Sequence, residues 1–249
     1  MTTARALRWL GEPVEGGGVT ERRFDLDVDG RTVPGLLWTP PGAEGPRPLV
    51  LLGHGATRHK RVEYMLVLAR ALVRGAAFAV AAIDAPGHGD RRAPGPADDI
   101  QMFSEFLVEW SRPGSTDDMV AEWAATIDAL RDLDEVGDGS LGYWGLSMGT
   151  IYGIPLVAAE ARIRVAVFGL MGLLGPTRDR MAADAARVTC PVTFLQQWDD
   201  SLVPRQEVLD LFDAVGSLDK RLHAHPGEHS AVPPEEMEFS VEFLTRHLA

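Results

Sequence analysis

Strands alternating with helices behind a leading antiparallel hairpin predict an α/β fold, with a mostly parallel central sheet covered by helices on both faces. Two short apolar runs, Leu49–Leu52 and Phe78–Ile83, fit strands buried on both sides. Between them Glu63–Arg74 carries apolar residues at helical spacing, with Leu66, Ala69, Leu72 and Val73 on one stripe. The hairpin is read from Asp29-Gly30, a turn pair between two strand-like runs.

In chain order, Gly16-Gly17-Gly18 is expected as a loop between an N-terminal arm and the first strand. Arg22–Val28 alternates in polarity, and Thr32–Thr39 forms the second arm of the hairpin. Pro40 to Pro48 is a Pro/Gly loop that cannot continue a sheet. After the Leu49–Leu52 strand and the Glu63–Arg74 helix, Gly75 is expected to end that helix. Asp117–Leu133 reads as a helix, with Asp117 and Asp118 in its first turn and Met119, Trp123, Ile127 and Leu130 on one face. Strands follow at Leu141–Trp144, Arg164–Phe168, Val192–Gln197 and Arg221–Ala224. Helices are expected from near Ser147, over Arg205–Ala214 and over Pro233–His247. Two segments, about 90–116 and 170–188, interrupt the alternation after strand ends, where such sheets bind ligands. They read as lid-like flanks of a pocket within a single domain spanning residues 1–249.

Composition narrows the function classes. Of 249 residues, 45% are hydrophobic and 24% charged, which excludes a mostly disordered chain. The net charge of −12 argues against nucleic acid, whose phosphates would repel it. No apolar run approaches the roughly 18 residues of a membrane span. Met1 to Gly18 holds two arginines and no apolar core of a signal peptide, so a cytoplasmic location is expected. With one cysteine, Cys190, neither an intramolecular disulfide nor a cysteine-rich metal site can form. Cys190, at the start of a buried strand, is expected as packing.

The sharpest local feature is Gly145-Leu146-Ser147-Met148-Gly149, between a strand and a helical run. A G-x-S-x-G there is a nucleophile elbow: the tight turn exposes the Ser147 hydroxyl at the sheet's carboxyl edge. Serine is a weak nucleophile at neutral pH and needs a base. Of seven histidines, His229 lies in the turn between the last strand and the final helix, where the elbow chemistry requires one. His223 and His225 lie in or beside that strand and read as structural; His247 reads as a surface residue. The base in turn needs a carboxylate to orient it. Asp199 and Asp200 both follow the Val192–Gln197 strand, and the spacing Asp-x-x-Val-Pro favours Asp200. The transition state needs oxyanion donors, expected from the Met148 and Ala56 backbone N–H groups. His54 reads as a brace of the Gly53–Thr57 loop.

These segments, with Asp84-Ala85-Pro86-Gly87-His88-Gly89, resemble the serial motifs of the α/β-hydrolase superfamily. The Trp38-Thr39-Pro40-Pro41-Gly42 lead-in and Cys190-Pro191 before the acid-bearing strand look most like its dienelactone-hydrolase-like and prolyl-oligopeptidase-like single-domain serine esterases. Serine at 147 departs from the cysteine of true dienelactone hydrolases and the aspartate of haloalkane dehalogenases. The resemblance implies a serine hydrolase acting on a carboxylic ester or thioester through an acyl-enzyme. Amide cleavage, acyl transfer by the same triad, and a non-catalytic binding protein on this fold are the alternatives.

The apolar stripe Met102, Phe103, Phe106, Leu107 and Trp110 is a core-packing helix, a lid over an acyl pocket, or both. His54, His88, Phe103, Phe106, Trp110 and Met171 are the candidate pocket residues. No metal-ligand spacing and no phosphate-cradling loop is read, so no cofactor and no metal is implied. The expected partner is a small-molecule ester or acyl substrate, with no nucleic acid and no membrane. An exposed edge strand or lid offers a surface for a homodimer.

Overall fold

A computed structural model describes residues 7–93, 95 and 98–249. Its sheet has nine strands: β1 (Arg8–Gly16), β2 (Val19–Val28), β3 (Arg31–Thr39), β4 (Leu49–Gly53), β5 (Ala79–Ile83), β6 (Leu141–Gly145), β7 (Ile163–Gly169), β8 (Val192–Gln197) and β9 (Lys220–His225). Their spatial order is β1-β2-β3-β5-β4-β6-β7-β8-β9. The first three form an antiparallel meander, and β3 joins β5 antiparallel. From β5 onward neighbours run parallel. The order reverses at β4, with β5 on one side and β6 on the other. A crevice at the carboxyl ends is thereby opened at this switch point.

Among the described residues, seven α-helices cover the sheet: α1 (Glu63–Ala76), α2 (Asp99–Ser111), α3 (Ser115–Arg131), α4 (Met148–Ala159), α5 (Arg178–Ala185), α6 (Arg205–Ala214) and α7 (Pro234–Leu248). The pleat sorts successive strand residues to opposite faces. Val50, Leu52, Val80, Ala82 and Trp144 pack with α1 and α7. Leu49, Leu51, Ala81, Tyr143 and Phe168 pack with α3 and α4 on the other side. Every residue of β4, β5 and β6 is buried, which is why these strands read as unbroken apolar runs.

Three expectations are corrected. The N-terminal arm is strand β1, and Gly17-Gly18 is the turn of a further hairpin. The side chains of β1 are all exposed or half-buried, so no apolar alternation marks it. Helix α1 runs through Gly75 and ends at Ala76; Ala77, at φ 55°, takes the left-handed cap position. The third helix starts at Ser115, two residues early, because Gly114 at φ 83° supplies the left-handed turn into it. The 170–188 segment, one of the two expected flanks, contains α5 as its helical part. Positions 94, 96 and 97 of the 90–116 segment lie outside the described residues, as do positions 1–6 of the stretch read for a signal peptide.

Glu122 of α3 is fully buried and is held by Arg31 of β3 and by both terminal nitrogens of Arg91. The pairing fixes α3 against the hairpin edge and spares a buried carboxylate from standing alone.

Gly35 lies opposite Phe24 in the β2–β3 pair, and a Cβ there would overlap the Phe24 ring. Phe24 is fully buried and edge-on to Trp9, so it has no room to retreat. Gly35→Ala is expected to destabilise by about 1–3 kcal/mol through overpacking. A fall in the urea midpoint at unchanged m-value would show this. Phe24→Leu in the same chain should recover part of the loss; strict additivity of the two changes would exclude overpacking as the cause.

Candidate active site

Between β6 and α4 the chain turns in two residues. Ser147 has φ 57° and ψ −118°, a region costly for a residue with a side chain. Its N–H donates to Gly169 O on β7 at 2.9 Å. The flanking glycines are required by contact: a Cβ on Gly145 would stand 2.7 Å from the Tyr143 hydroxyl, and one on Gly149 would stand 2.6 Å from Gly53 O. The Tyr143 hydroxyl donates to Gly149 O at 2.6 Å, and burial, helped by nearby Tyr64, raises its pKa far above the usual range. The Thr150 hydroxyl lies 2.7 Å from Gly169 O and accepts the Gly169 N–H at 2.9 Å. The strained turn is therefore clamped to β4, β6 and β7.

His229 stands over this turn, its Nε2 3.0 Å from Ser147 Oγ and its Nδ1 2.7 Å from Asp200 Oδ2. A carboxylate can only accept, so Nδ1 carries the proton and Nε2 offers its lone pair to the serine hydroxyl. Asp200 Oδ1 accepts from the Leu202 and Val203 N–H groups at 2.8 and 3.0 Å. Burial works to raise the Asp200 pKa; the His229 contact and the two backbone donors outweigh it and hold the carboxyl below its ordinary value. Asp199 turns the other way and accepts the Gly227 N–H at 3.0 Å. The His229 segment is pinned further by Gln197 Nε2, which donates to Ala231 O at 2.7 Å, and by Glu228, which accepts the Ser201 hydroxyl at 2.7 Å.

Across the turn lies the loop after β4. Among the described residues, neither the Ala56 nor the Met148 N–H meets a protein acceptor. The loop is braced from beneath. His54 donates from Nδ1 to Gly55 O at 2.9 Å and accepts the Ala85 N–H at Nε2, 3.1 Å away. His88 lies with Nε2 2.5 Å from Ala56 O. Buried Asp84 accepts from the Lys60 N–H at 2.9 Å and the Lys60 ammonium at 2.5 Å. The ammonium also reaches Asp90 at 2.7 Å.

The candidate pocket residues fall in a row. His54 and His88 rings lie 5.2 Å apart, His88 meets Phe106 at 6.2 Å, and Phe106 stacks on Trp110 at 5.5 Å. Phe103 flanks Phe106 at 5.9 Å and is partly exposed, whereas Met171 is buried in the same cluster as Phe106 and Trp110. The Trp110 indole donates to Thr177 Oγ1 at 2.8 Å, so the two interrupting segments touch. Sequence reasoning passed over Lys60, Tyr143, Thr150 and Gln197. Thr150 directly follows the Gly-x-Ser-x-Gly run and was findable; Lys60 and Gln197 act across the fold and have no local signature.

His54 is wholly buried, and its pKa is pushed down from 6.5 to about 3, chiefly by burial and next by His88, against the opposing pull of Asp84 and Gly55 O. Below pH 6.5 the unfolded chain takes up a proton that the folded chain refuses. The contribution is intact above that pH and is lost progressively as pH falls toward 3, with a limiting slope of about 1.4 kcal/mol per pH unit. His54→Gln should flatten this part of the stability profile. Urea melts across that range test it; parallel profiles for the two proteins would refute the assignment.

Neither a protein-family profile nor a curated protein sequence matches the chain. Solved structures do. A polyethylene-glycol-bound cold-adapted esterase from an Arctic intertidal metagenomic library is 43% identical, over 97% of this chain and 99% of that one, with a TM-score of 0.86. A zinc-bound structure of a cold-adapted esterase from such a library is 41% identical, over the same 97% and 99%, with a TM-score of 0.81. Acetyl xylan esterase 1 from Thermoanaerobacterium sp. JW/SL YS485 shares the fold alone, at 14% identity over 98% of this chain and 89% of that one, with a TM-score of 0.75. With 43% identity over nearly the full length of an esterase, on a mostly parallel nine-stranded sheet, the chain belongs to the α/β-hydrolase esterases.

Proposed function

We propose that this esterase cleaves carboxylic esters, or thioesters, through an acyl-enzyme on Ser147, with His229 as base and Asp200 as its orienting carboxylate. The observation that carries the reading is the continuous hydrogen-bonded chain from Asp200 through His229 to Ser147, with links of 2.7 and 3.0 Å. His229 Nε2 takes the Ser147 proton as Oγ attacks the ester carbonyl carbon. The carbonyl oxygen becomes an oxyanion, held by the Ala56 and Met148 N–H groups, which are free to receive it. Collapse breaks the carbon–oxygen bond, and His229 returns the proton to the departing alkoxide. A water then gives its proton to the same nitrogen and attacks the acyl carbon. The acid leaves and Ser147 recovers its proton.

Asp200 carries a full charge through the cycle and stabilises the imidazolium that forms twice in each turnover. Strain at Ser147 is held by the clamps on Gly145, Gly149 and Gly169, so the hydroxyl is poised before substrate arrives. The chain acts as one domain in this reading, with 90–116 and 170–188 as lid-like flanks. Phe106 and Trp110 are filled in against the core, which favours modest acyl groups over long lipid chains. The partner is a small-molecule ester.

Hydrolysis of p-nitrophenyl esters from acetate to decanoate tests the assignment. Ser147→Ala should lower kcat at least about a thousandfold. Asp200→Asn should lower it by about ten-thousandfold, by leaving His229 in the wrong tautomer. Asp199→Asn, whose amide oxygen still accepts from the Gly227 N–H, should cost far less. Turnover surviving in Ser147→Ala, or Asp199→Asn proving the more damaging of the two, would overturn these roles.

A further inference from the structure

We propose that His223, His225 and Glu236 form a binding site for a divalent ion of the zinc class, separate from the Ser147 centre. His223 and His225 are two apart on β9, so the pleat sends both rings to the same face. Glu236, in the first turn of α7, meets them there. Its Oε1 lies 3.0 Å from His223 Nδ1 and 2.6 Å from His225 Nε2. All three ligand atoms lie within 4.8 Å of one another. Bonds of about 2.0–2.2 Å to a shared ion are reached from there by side-chain adjustment alone.

Charge points the same way. Glu236 is 7% exposed, yet among the described residues no lysine or arginine pairs with it; its ionic partners are the two imidazoles. A buried carboxylate without a fixed cation is costly, and a divalent ion at the shared corner would supply the missing charge. Two imidazole nitrogens and one carboxylate oxygen are a borderline donor set, which suits zinc; magnesium and calcium favour oxygen ligands. Three protein ligands leave a fourth position for water. Both rings are about one quarter exposed, which gives the ion a path in. Phe239 packs on the His223 ring at 4.2 Å and fixes its plane. No cysteine and no familiar ligand spacing marks the site in the sequence, because Glu236 arrives from the next element.

The ion would join the end of β9 to the start of α7. The 226–233 segment between those elements carries His229, and His225 O accepts the Trp198 N–H at 2.6 Å, beside the Asp199-Asp200 pair. The site would therefore fasten both ends of the base-bearing segment and act as a positioning site, without touching the reacting atoms.

Isothermal titration of the intact metal-free protein with zinc chloride, with magnesium chloride as control, tests the proposal. Wild type and Ser147→Ala should both bind one zinc ion and no magnesium. His225→Gln and the isosteric Glu236→Gln should each weaken zinc binding at least about tenfold. His229→Ala should leave it within about twofold, which separates this site from the reaction centre. Cobalt added to the wild type should give a visible absorption band of tetrahedral ligation, lost in Glu236→Gln. The wild-type band needs no variant, and a far-ultraviolet circular-dichroism spectrum matching wild type checks that Glu236→Gln is folded. No zinc binding to wild type, or binding abolished by His229→Ala and untouched by Glu236→Gln, would overturn the proposal.

Discussion

The first turn of α4 lies against the backbone of β4 with no space for a side chain between them. The Gly149 Cα faces Gly53 O so closely that a Cβ would sit 2.6 Å from it. This approach brings the start of α4, and with it Met148, against the strand that leads into the Gly53–Thr57 loop. It also bends the chain so sharply that Ser147 occupies a φ of 57°. The strain persists because neighbouring strands over-determine the turn: Gly169 O holds the Ser147 amide, and Tyr143 and Thr150 hold the carbonyls and amide around it. Tyr143 has a second duty, since its ring packs against Phe168 and Trp123 in the core below. Core packing and the set of the serine are thus one structure.

Opposite the elbow, rigidity comes from buried polar groups. Asp84, at the end of β5, gathers the Lys60 amide, the Lys60 ammonium and the Asp90 amide onto one carboxylate. Asp84 is not exposed at all and depends on the ammonium of Lys60, which is 5% exposed and is shared with Asp90. The pair ties the loop after β4 to the loop after β5. His54 and His88 extend the tie to Gly55 O, Ala85 N–H and Ala56 O. The network leaves the Ala56 amide without an acceptor among the described residues, as its proposed oxyanion role requires. On the far side, Asp199, Gln197 and Glu228 perform the same service for the His229 segment. Loops from several strand ends are thus each held by buried or half-buried side chains that reach across from a neighbouring element.

Much of this was readable in the chain, and the misses share a cause. Buried strands β4 and β5 announce themselves as apolar runs, and β8 and α6 match their expected ranges residue for residue. Strand β1 does not announce itself, because it is made by pairing with β2 and buries little of either face. Gly75 looked like a helix end, yet tertiary packing of Leu72 and Val73 carried α1 past it. The α2 stripe was open between core and lid, and the structure divides it: Phe106 and Trp110 are buried, while Phe103 and Leu107 stay partly exposed. Gln197 and Lys60 brace loops 34 and 24 residues away, distances at which no sequence pattern links donor to acceptor.

By itself the sequence determined the layer architecture and the glycine-flanked elbow, because these rest on local periodicity and on a turn without room for a Cβ; the joint action of Ser147, Asp200 and His229 was expected from motif order and remains the proposal. Tertiary structure decided which of two adjacent carboxylates faces the His229 ring. Asp200 reaches Nδ1 at 2.7 Å while Asp199 points to the Gly227 amide, and neighbouring residues on one loop differ in that respect only through the path of the loop in space. It decided equally that His223, His225 and Glu236 meet, since a strand and a helix separated by a loop come together only when both pack on the sheet. Patterns along the chain report what each element buries. Chemistry between elements depends on distance, and distance exists only once the sheet has assembled.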